Sequence, residues 1–257
     1  MTTRTTLVTT SLIAASLISG AANATLMGRD LNGSVGSFEA YYDTDLDITW
    51  LADANYAQTS GADDDGIMTW SAATSWAANL SFFNPLTNQT YADWRLPTMQ
   101  DTGTRNCNFN NVGTDCGWNV QTVSGSTVYS EMAYMYYTNL GLKAYYSPVL
   151  DPNGIDFVEQ ANYGIFGNGT TGGQNNVGLI NNLQSSAYWS GLPAAFPAGE
   201  AWYFQTEDGA QNMRSNTVEY YAWAVRVGDV AAVPEAQTYA LMLAGLGLIG
   251  WRARRRG

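Results

Sequence analysis

Histidine is absent from the 257-residue chain. That excludes imidazole general acid–base chemistry, Ser-His-Asp triads and the His-containing zinc sites. Cysteine is scarce, with only Cys107 and Cys116, in a stretch rich in Asn and Gly. Two thiolates without an imidazole make a poor metal site, and no metal or other cofactor is predicted. Positive charge is scarce too. Between residues 25 and 235 only six side chains are basic (Arg29, Arg95, Arg105, Lys143, Arg214 and Arg226) against 22 acidic ones, a net of −16. Such a surface repels nucleic acid and anionic lipid, while permitting cation binding and colloidal solubility.

Long apolar runs are confined to the two ends. Residues 1–24 carry Arg4, an apolar run from Leu7 to Ile18 and the small-x-small sequence Ala22-Asn23-Ala24. These are the parts of a secretory signal peptide, with cleavage expected after Ala24. In an exported protein Cys107 and Cys116 are expected to form a disulfide. A loop of that size contributes at most ~3 kcal/mol on the chain-entropy model. At the other end, Val233-Pro234-Glu235-Ala236 precedes an apolar run from Thr238 to Trp251, then Arg252, Arg254, Arg255 and Arg256. The run predicts a short transmembrane helix, below the ~20 residues usual for a span, with its arginines held in the cytoplasm.

The tail, residues 230–257, resembles a PEP-CTERM sorting signal: a Pro-Glu motif, a hydrophobic helix and an arginine cluster. The third motif position departs from the usual Pro-Glu-Pro, being Ala236. The resemblance implies export in a Gram-negative exopolysaccharide producer and transient inner-membrane anchoring. It also implies removal of the tail by an exosortase and delivery to the cell surface or biofilm matrix.

Between the two ends lies a segment long enough for one domain with its own core. Phe38–Tyr42 and Ile48–Leu51 read as a hairpin. The aspartates joining them (Asp43, Asp45, Asp47) read as turn chemistry rather than a calcium loop, since the glycine and distal glutamate of such a loop are missing. Met68–Leu80 reads as a helix capped by Thr69, with Trp70, Ala73, Trp76, Ala77 and Leu80 on one apolar face. Residues 99–127 read as a long insertion stapled by the disulfide. Ser130–Leu140 reads as a second helix, with Ser130 as cap, Glu131 complementing the helix dipole and Gly141 ending it. Residues 151–182 read as loop. Three strands follow, at Ala187–Ser190, Glu200–Phe204 and Tyr220–Val227, with Gly209 in the turn between the second and third.

Asp93-Trp94-Arg95-Leu96-Pro97-Thr98 is the most unusual stretch. An arginine between two core-type residues pairs with a buried carboxylate or with backbone carbonyls. Pro97 holds Leu96 extended. The reading is a structural clamp, with Trp94, Arg95, Trp189 and Trp223 assigned to the core rather than to a site.

The ordered set Thr49-Trp50, Thr69-Trp70-Ser71-Ala72-Ala73, Asp93 to Thr98, Ser130-Glu131, Tyr188-Trp189-Ser190 and Tyr221 to Arg226 resembles the Lcl C-terminal domain family. That family takes its name from a collagen-like bacterial adhesin, and the domain it implies spans residues 25–229. The fold class implied is α+β and C-type-lectin-like: two helices packed on short, mostly antiparallel strands with long loops. The formylglycine-generating enzymes share that fold and a related signature, but their helix follows the threonine at once. Here Met99 to Tyr129 intervenes. Their activity does not carry over, because it needs two reactive cysteines near the C-terminus and none follows Cys116.

The expected role is a non-enzymatic surface or matrix module. It binds glycan or another matrix component and is sorted by an exosortase. The adhesin relative implies sulfated polysaccharide, whereas a net charge of −16 points to a neutral or cation-bridged one. Two alternatives stay open. One is a carbohydrate-active enzyme using paired carboxylates ~5–10 Å apart, with Glu131, Glu159, Glu200 and Glu207 as candidates. The other is a purely structural envelope or biofilm protein. Calcium is not predicted, since Glu-Pro-Asn and Gln-Pro-Asp are absent, and no binding residue is assigned.

Overall fold

In the five-stranded antiparallel sheet of the computed structural model, the last strand of the domain is inserted among the first. The order is Leu26–Arg29, Ala40–Asp43, Ile48–Leu51, Val225–Val227 and Trp94–Arg95. A second, six-stranded sheet runs Ile67–Thr69, Glu219–Tyr221, Ala187–Pro193, Glu200–Gln205, Ala210–Ser215 and Gly117–Trp118. Only its Ala187–Pro193 and Glu219–Tyr221 pair is parallel. The structure describes residues 26–34, 36–103, 112–165 and 176–230. The class is mixed, with few helices and many antiparallel strands. The predicted signal peptide and sorting tail lie outside the described residues. Among those described, no helix is long and apolar enough to cross a membrane.

The run Tyr220–Val227, predicted as one strand, is two strands in two sheets. Ala222–Ala224 carry the chain across. There Trp223 is buried, donates its indole N–H to the Leu51 carbonyl at 2.7 Å and packs 4.7 Å from Trp50. Both halves are apolar because both sheets turn a face to one core, so composition alone does not mark the break. A further strand, Ala210–Ser215, follows Gly209 and was not predicted. It has no β-branched or aromatic residue, and its place comes from pairing with Glu200–Gln205 across a tight turn.

A short helix, Tyr56–Thr59, comes first, and the helix predicted at Met68–Leu80 is Trp70–Ala78, shorter because Ile67–Thr69 is a strand. Thr69 accepts from the Ala72 N–H at the N-terminus. Ala73 and Ala77 are fully buried, so the helix sits close on the sheets, with Trp70, Trp76 and Leu80 packed at its flanks. The helix predicted at Ser130–Leu140 is also shorter. Ser130 caps Glu131–Tyr134, then Met135–Asn139 widens into a π turn.

The predicted insertion at 99–127 is not a loose loop. Gly117–Trp118 extends the six-stranded sheet. Met99 and Cys116 form a small core with Trp202 and Met213. The base of the excursion is closed by the Gln100 N–H on the Tyr129 carbonyl at 2.8 Å and the Glu131 N–H on the Thr98 carbonyl at 3.1 Å. The helix therefore starts beside Thr98 in space although not in sequence. Cys116 is buried and no free thiol occurs among the described residues. Cys107, its predicted partner, lies outside them.

Candidate functional site

Arg95 and Glu131 form a two-pronged ion pair. Nη1 meets Oε2 at 2.7 Å and Nη2 meets Oε1 at 2.8 Å. Glu131 Oε2 also accepts from the Thr98 N–H at 2.7 Å, and Arg95 Nη1 donates to the Leu96 carbonyl at 3.0 Å. Asp93 turns the chain with a positive φ of 63°. The Trp94 indole donates to the Tyr91 carbonyl at 3.1 Å, and Pro97 accepts from Gly191 of the six-stranded sheet at 2.7 Å. Asp93 to Thr98 thus ties one sheet, the other sheet and a helix start together. Trp94, Trp189 and Trp223 are buried. The Arg95 side chain, paired with Glu131, is 33% exposed.

The aspartate turn is likewise occupied by the protein's own donors. Asp43, fully buried, accepts from the Asp45 and Leu46 N–H groups and from Asn139 Nδ2. Asp45 accepts from the Tyr134 hydroxyl at 2.7 Å and Asp47 from the Tyr42 hydroxyl at 2.8 Å. Of the four glutamates considered for catalysis, Glu131 belongs to the clamp, and Glu159 accepts from the Tyr145 hydroxyl. Glu200 opens a strand, and Glu207 sits in the turn that follows it. Glu207 lines a cleft.

Two clefts stand out among the described residues. The larger, about 340 Å³, opens beside the five-stranded sheet. Phe38, Tyr56 and Phe82 supply aromatic surface there, and Asn32, Glu39, Asp53 and Asn181 supply polar groups. The rings are held from behind: Tyr56 packs 5.5 Å from Phe82, and Phe82 packs edge-on 5.4 Å from the buried Trp94. Asp53 is oriented by Asn55 N–H, the Thr59 hydroxyl and Asn182 Nδ2, at 2.7–2.9 Å. Glu39 is oriented by the Leu31 N–H and the Ser37 hydroxyl.

The smaller cleft, about 250 Å³, is lined by Tyr145, Tyr163, Glu207 and Asp208. The two rings stand 4.7 Å apart at 75°. Burial pushes the Asp208 carboxyl up to about 6, against the opposing pull of its Ala210 N–H bond. The hydrogen bond to Glu159 pushes the Tyr145 phenol up to about 12, so it stays protonated.

Residues 232–256 match the family model of the PEP-CTERM protein-sorting motif. The chain is an exosortase substrate. The motif marks an exported protein, held transiently at the membrane before its tail is cleaved. No curated protein and no solved structure matches the chain. Export sets the clefts outside the cytoplasm. Sequence reasoning assigned none of Tyr56, Phe82, Asp53, Tyr145, Tyr163 or Asp208 to a site. The only signals were a tyrosine-rich loop and a Glu-Asp-Gly turn, neither with a diagnostic spacing.

Proposed function

We propose that the exported domain is a non-catalytic, C-type-lectin-like module that binds a neutral polysaccharide of the cell surface or matrix in the cleft at Phe38, Tyr56 and Phe82. The observation that carries the reading is the composition of that cleft. A braced aromatic wall faces a few pre-oriented carboxylate and amide groups in one concavity. Aromatic faces stack on the C–H faces of sugar rings, and amide and carboxylate oxygens accept from their hydroxyls. A pocket with few, fixed polar groups gains orientation without much ordering on binding. The exosortase signal supports the setting, and the ordered resemblance to the Lcl C-terminal domain family supports the lectin-like fold. No basic side chain lines the cleft, so a sulfated polymer such as heparin is not expected to bind in physiological salt.

The test is a binding screen of the exported protein against neutral polysaccharides, including the producer's own exopolysaccharide, with calcium and again with EDTA. Saturable binding that weakens at least tenfold in Tyr56→Ala is expected. Survival of that binding in EDTA is expected as well, because the aspartates of the turn are already satisfied by protein donors. Absence of saturable binding to every polymer, or release of reducing ends from any of them, overturns the reading.

A further inference from the structure

The smaller cleft has a different chemistry and stands on its own observations. Its walls are built from distant parts of the chain that the backbone locks together. The Tyr145 N–H donates to the Asp208 carbonyl at 2.8 Å, and the Gly164 N–H donates to the Lys143 carbonyl at 3.0 Å. Gly164, at a φ of 66°, lies so close to Glu207 that a Cβ there would sit 2.2 Å from its carbonyl oxygen. That contact fixes Tyr163, the preceding residue, against the Glu207–Asp208 turn. Behind Tyr145 stand Tyr146 at 4.5 Å and then Trp118 and Phe157. The two lining rings are therefore braced at a steep mutual angle rather than free to collapse onto each other.

Two adjacent carboxylates complete this cleft, and no cation answers them. Glu207 accepts from Gln205 Nε2 at 2.8 Å, and Asp208 accepts from the Ala210 N–H at 2.9 Å. Neither has a basic side chain within ion-pair distance among the described residues, where the ion pairs are Arg29 with Asp229 and Arg95 with Glu131. Lys143, whose carbonyl accepts from Gly164 at the cleft wall, has an exposed side chain and no ion pair among the described residues. Crossed aromatic faces beside unpaired carboxylates are the arrangement that attracts an ammonium group, through the ring quadrupoles and through charge together.

We propose that the cleft formed by Tyr145, Tyr163, Glu207 and Asp208 is a second binding site, for an organic ammonium group such as the free amine of a non-acetylated hexosamine. The rings take the apolar face of the ligand and its cation, and the carboxylates accept its N–H donors. The groups acting on Asp208 are Glu207, the phenols of Tyr136, Tyr137 and Tyr203 and the Trp118 indole. None of them supplies positive charge. A bound ammonium supplies it and holds Asp208 ionised, so ligand and proton compete for the same carboxylate. The affinity therefore falls as pH drops through about 6, even though the amine itself becomes more fully protonated.

The test is calorimetric titration of the exported protein with a glucosamine oligomer, its fully N-acetylated counterpart and tetramethylammonium, at pH 7 and pH 5. The amine-bearing oligomer is expected to bind at least tenfold more tightly than the acetylated one, and tetramethylammonium to displace it. Going from pH 7 to pH 5 is expected to weaken tetramethylammonium about tenfold, and the amine oligomer by less because its own protonation offsets part of the loss. Asp208→Asn removes that pH dependence, and Asp208→Asn and Tyr163→Leu each weaken binding at least tenfold. Tyr56→Ala, in the larger cleft, leaves it unchanged, so a failed ammonium site and a failed neutral-glycan site give different results. Equal binding of the acetylated and free-amine oligomers overturns the proposal. So does amine binding indifferent to Asp208→Asn, or no displacement by tetramethylammonium.

Discussion

Glu131 and Asp208 are both carboxylates withdrawn from water, and the protein treats them in opposite ways. Glu131 receives a guanidinium fork and a backbone N–H, with its donors 2.7–2.8 Å away. Asp208 receives a backbone N–H and the Trp118 indole but no cation, and burial holds its pKa above the usual carboxylate range. A buried acid that is ion-paired and fully hydrogen-bonded is a fastening: it fixes where chain segments meet. A shielded acid that lacks a cation and lines a cleft is an unmet demand for positive charge. The clamp sits where a helix start meets both sheets, and the cleft sits where loops meet at the surface.

Cutting the fastening should give the largest effect. Arg95→Met leaves Glu131 buried and uncompensated, which should destabilise the protein by about 3 kcal/mol, discounted because a third of the Arg95 side chain is exposed. Chemical denaturation measures this. Adding Glu131→Gln to Arg95→Met should recover more than half of the loss, because the charge is gone while the Thr98 N–H keeps an acceptor. A loss below about 1 kcal/mol in the single variant would remove the distinction between the two acids.

A change beside the cleft should cost less and act on geometry. Gly164→Ala places a methyl into the Glu207 carbonyl at a positive φ, and should destabilise by about 2 kcal/mol from strain and displacement. The same variant should weaken the glucosamine oligomer while leaving every cleft side chain chemically intact. If the variant binds as tightly as the native protein, the close approach does not set the position of Tyr163.

How much of this was legible beforehand differs between the two places. The clamp announced itself locally, because an arginine flanked by Trp94 and Leu96 has few inexpensive fates. Its partner sits 36 positions away, and was read as a dipole-complementing helix residue and as one of four candidate catalytic carboxylates. The closure of Gln100 onto Tyr129 is what brings it back. The hairpin strand Ile48–Leu51 and the two helix caps were legible because their signals are short-range. The strand Ala210–Ser215 was not, because its residues are poor strand formers. Gln211 is buried there by bonds to Ser130 and to the Asp115 carbonyl, not by hydrophobicity. The clefts were less legible still. Tyr145, Tyr163 and Asp208 come from irregular segments with no period to read, and only the folded backbone makes them neighbours.

An effect no larger than that of Gly164→Ala tests the unmet charge directly, without any ligand. Asp208 has a native pKa of about 6 against an ordinary value of 3.8, so between those pH values the native state binds more protons than the unfolded chain. The slope of unfolding free energy with pH is then negative. The stability from the protonated, neutral carboxyl is fully present below pH 4 and is lost as pH rises through about 6. Partial solvation should reduce the change to about 2 kcal/mol. Other groups slope too: burial raises Asp43 in the same sense, and backbone hydrogen bonds lower Asp151 in the opposite one. The informative quantity is therefore the difference between native protein and Asp208→Asn. Asparagine is neutral throughout and can still accept from the Ala210 N–H. It should match the native protein near pH 4 and exceed it by about 2 kcal/mol at pH 7.5, as read from urea unfolding at the two pH values. Parallel pH profiles for the two proteins would mean that Asp208 is as well satisfied as Glu131, and the comparison would collapse.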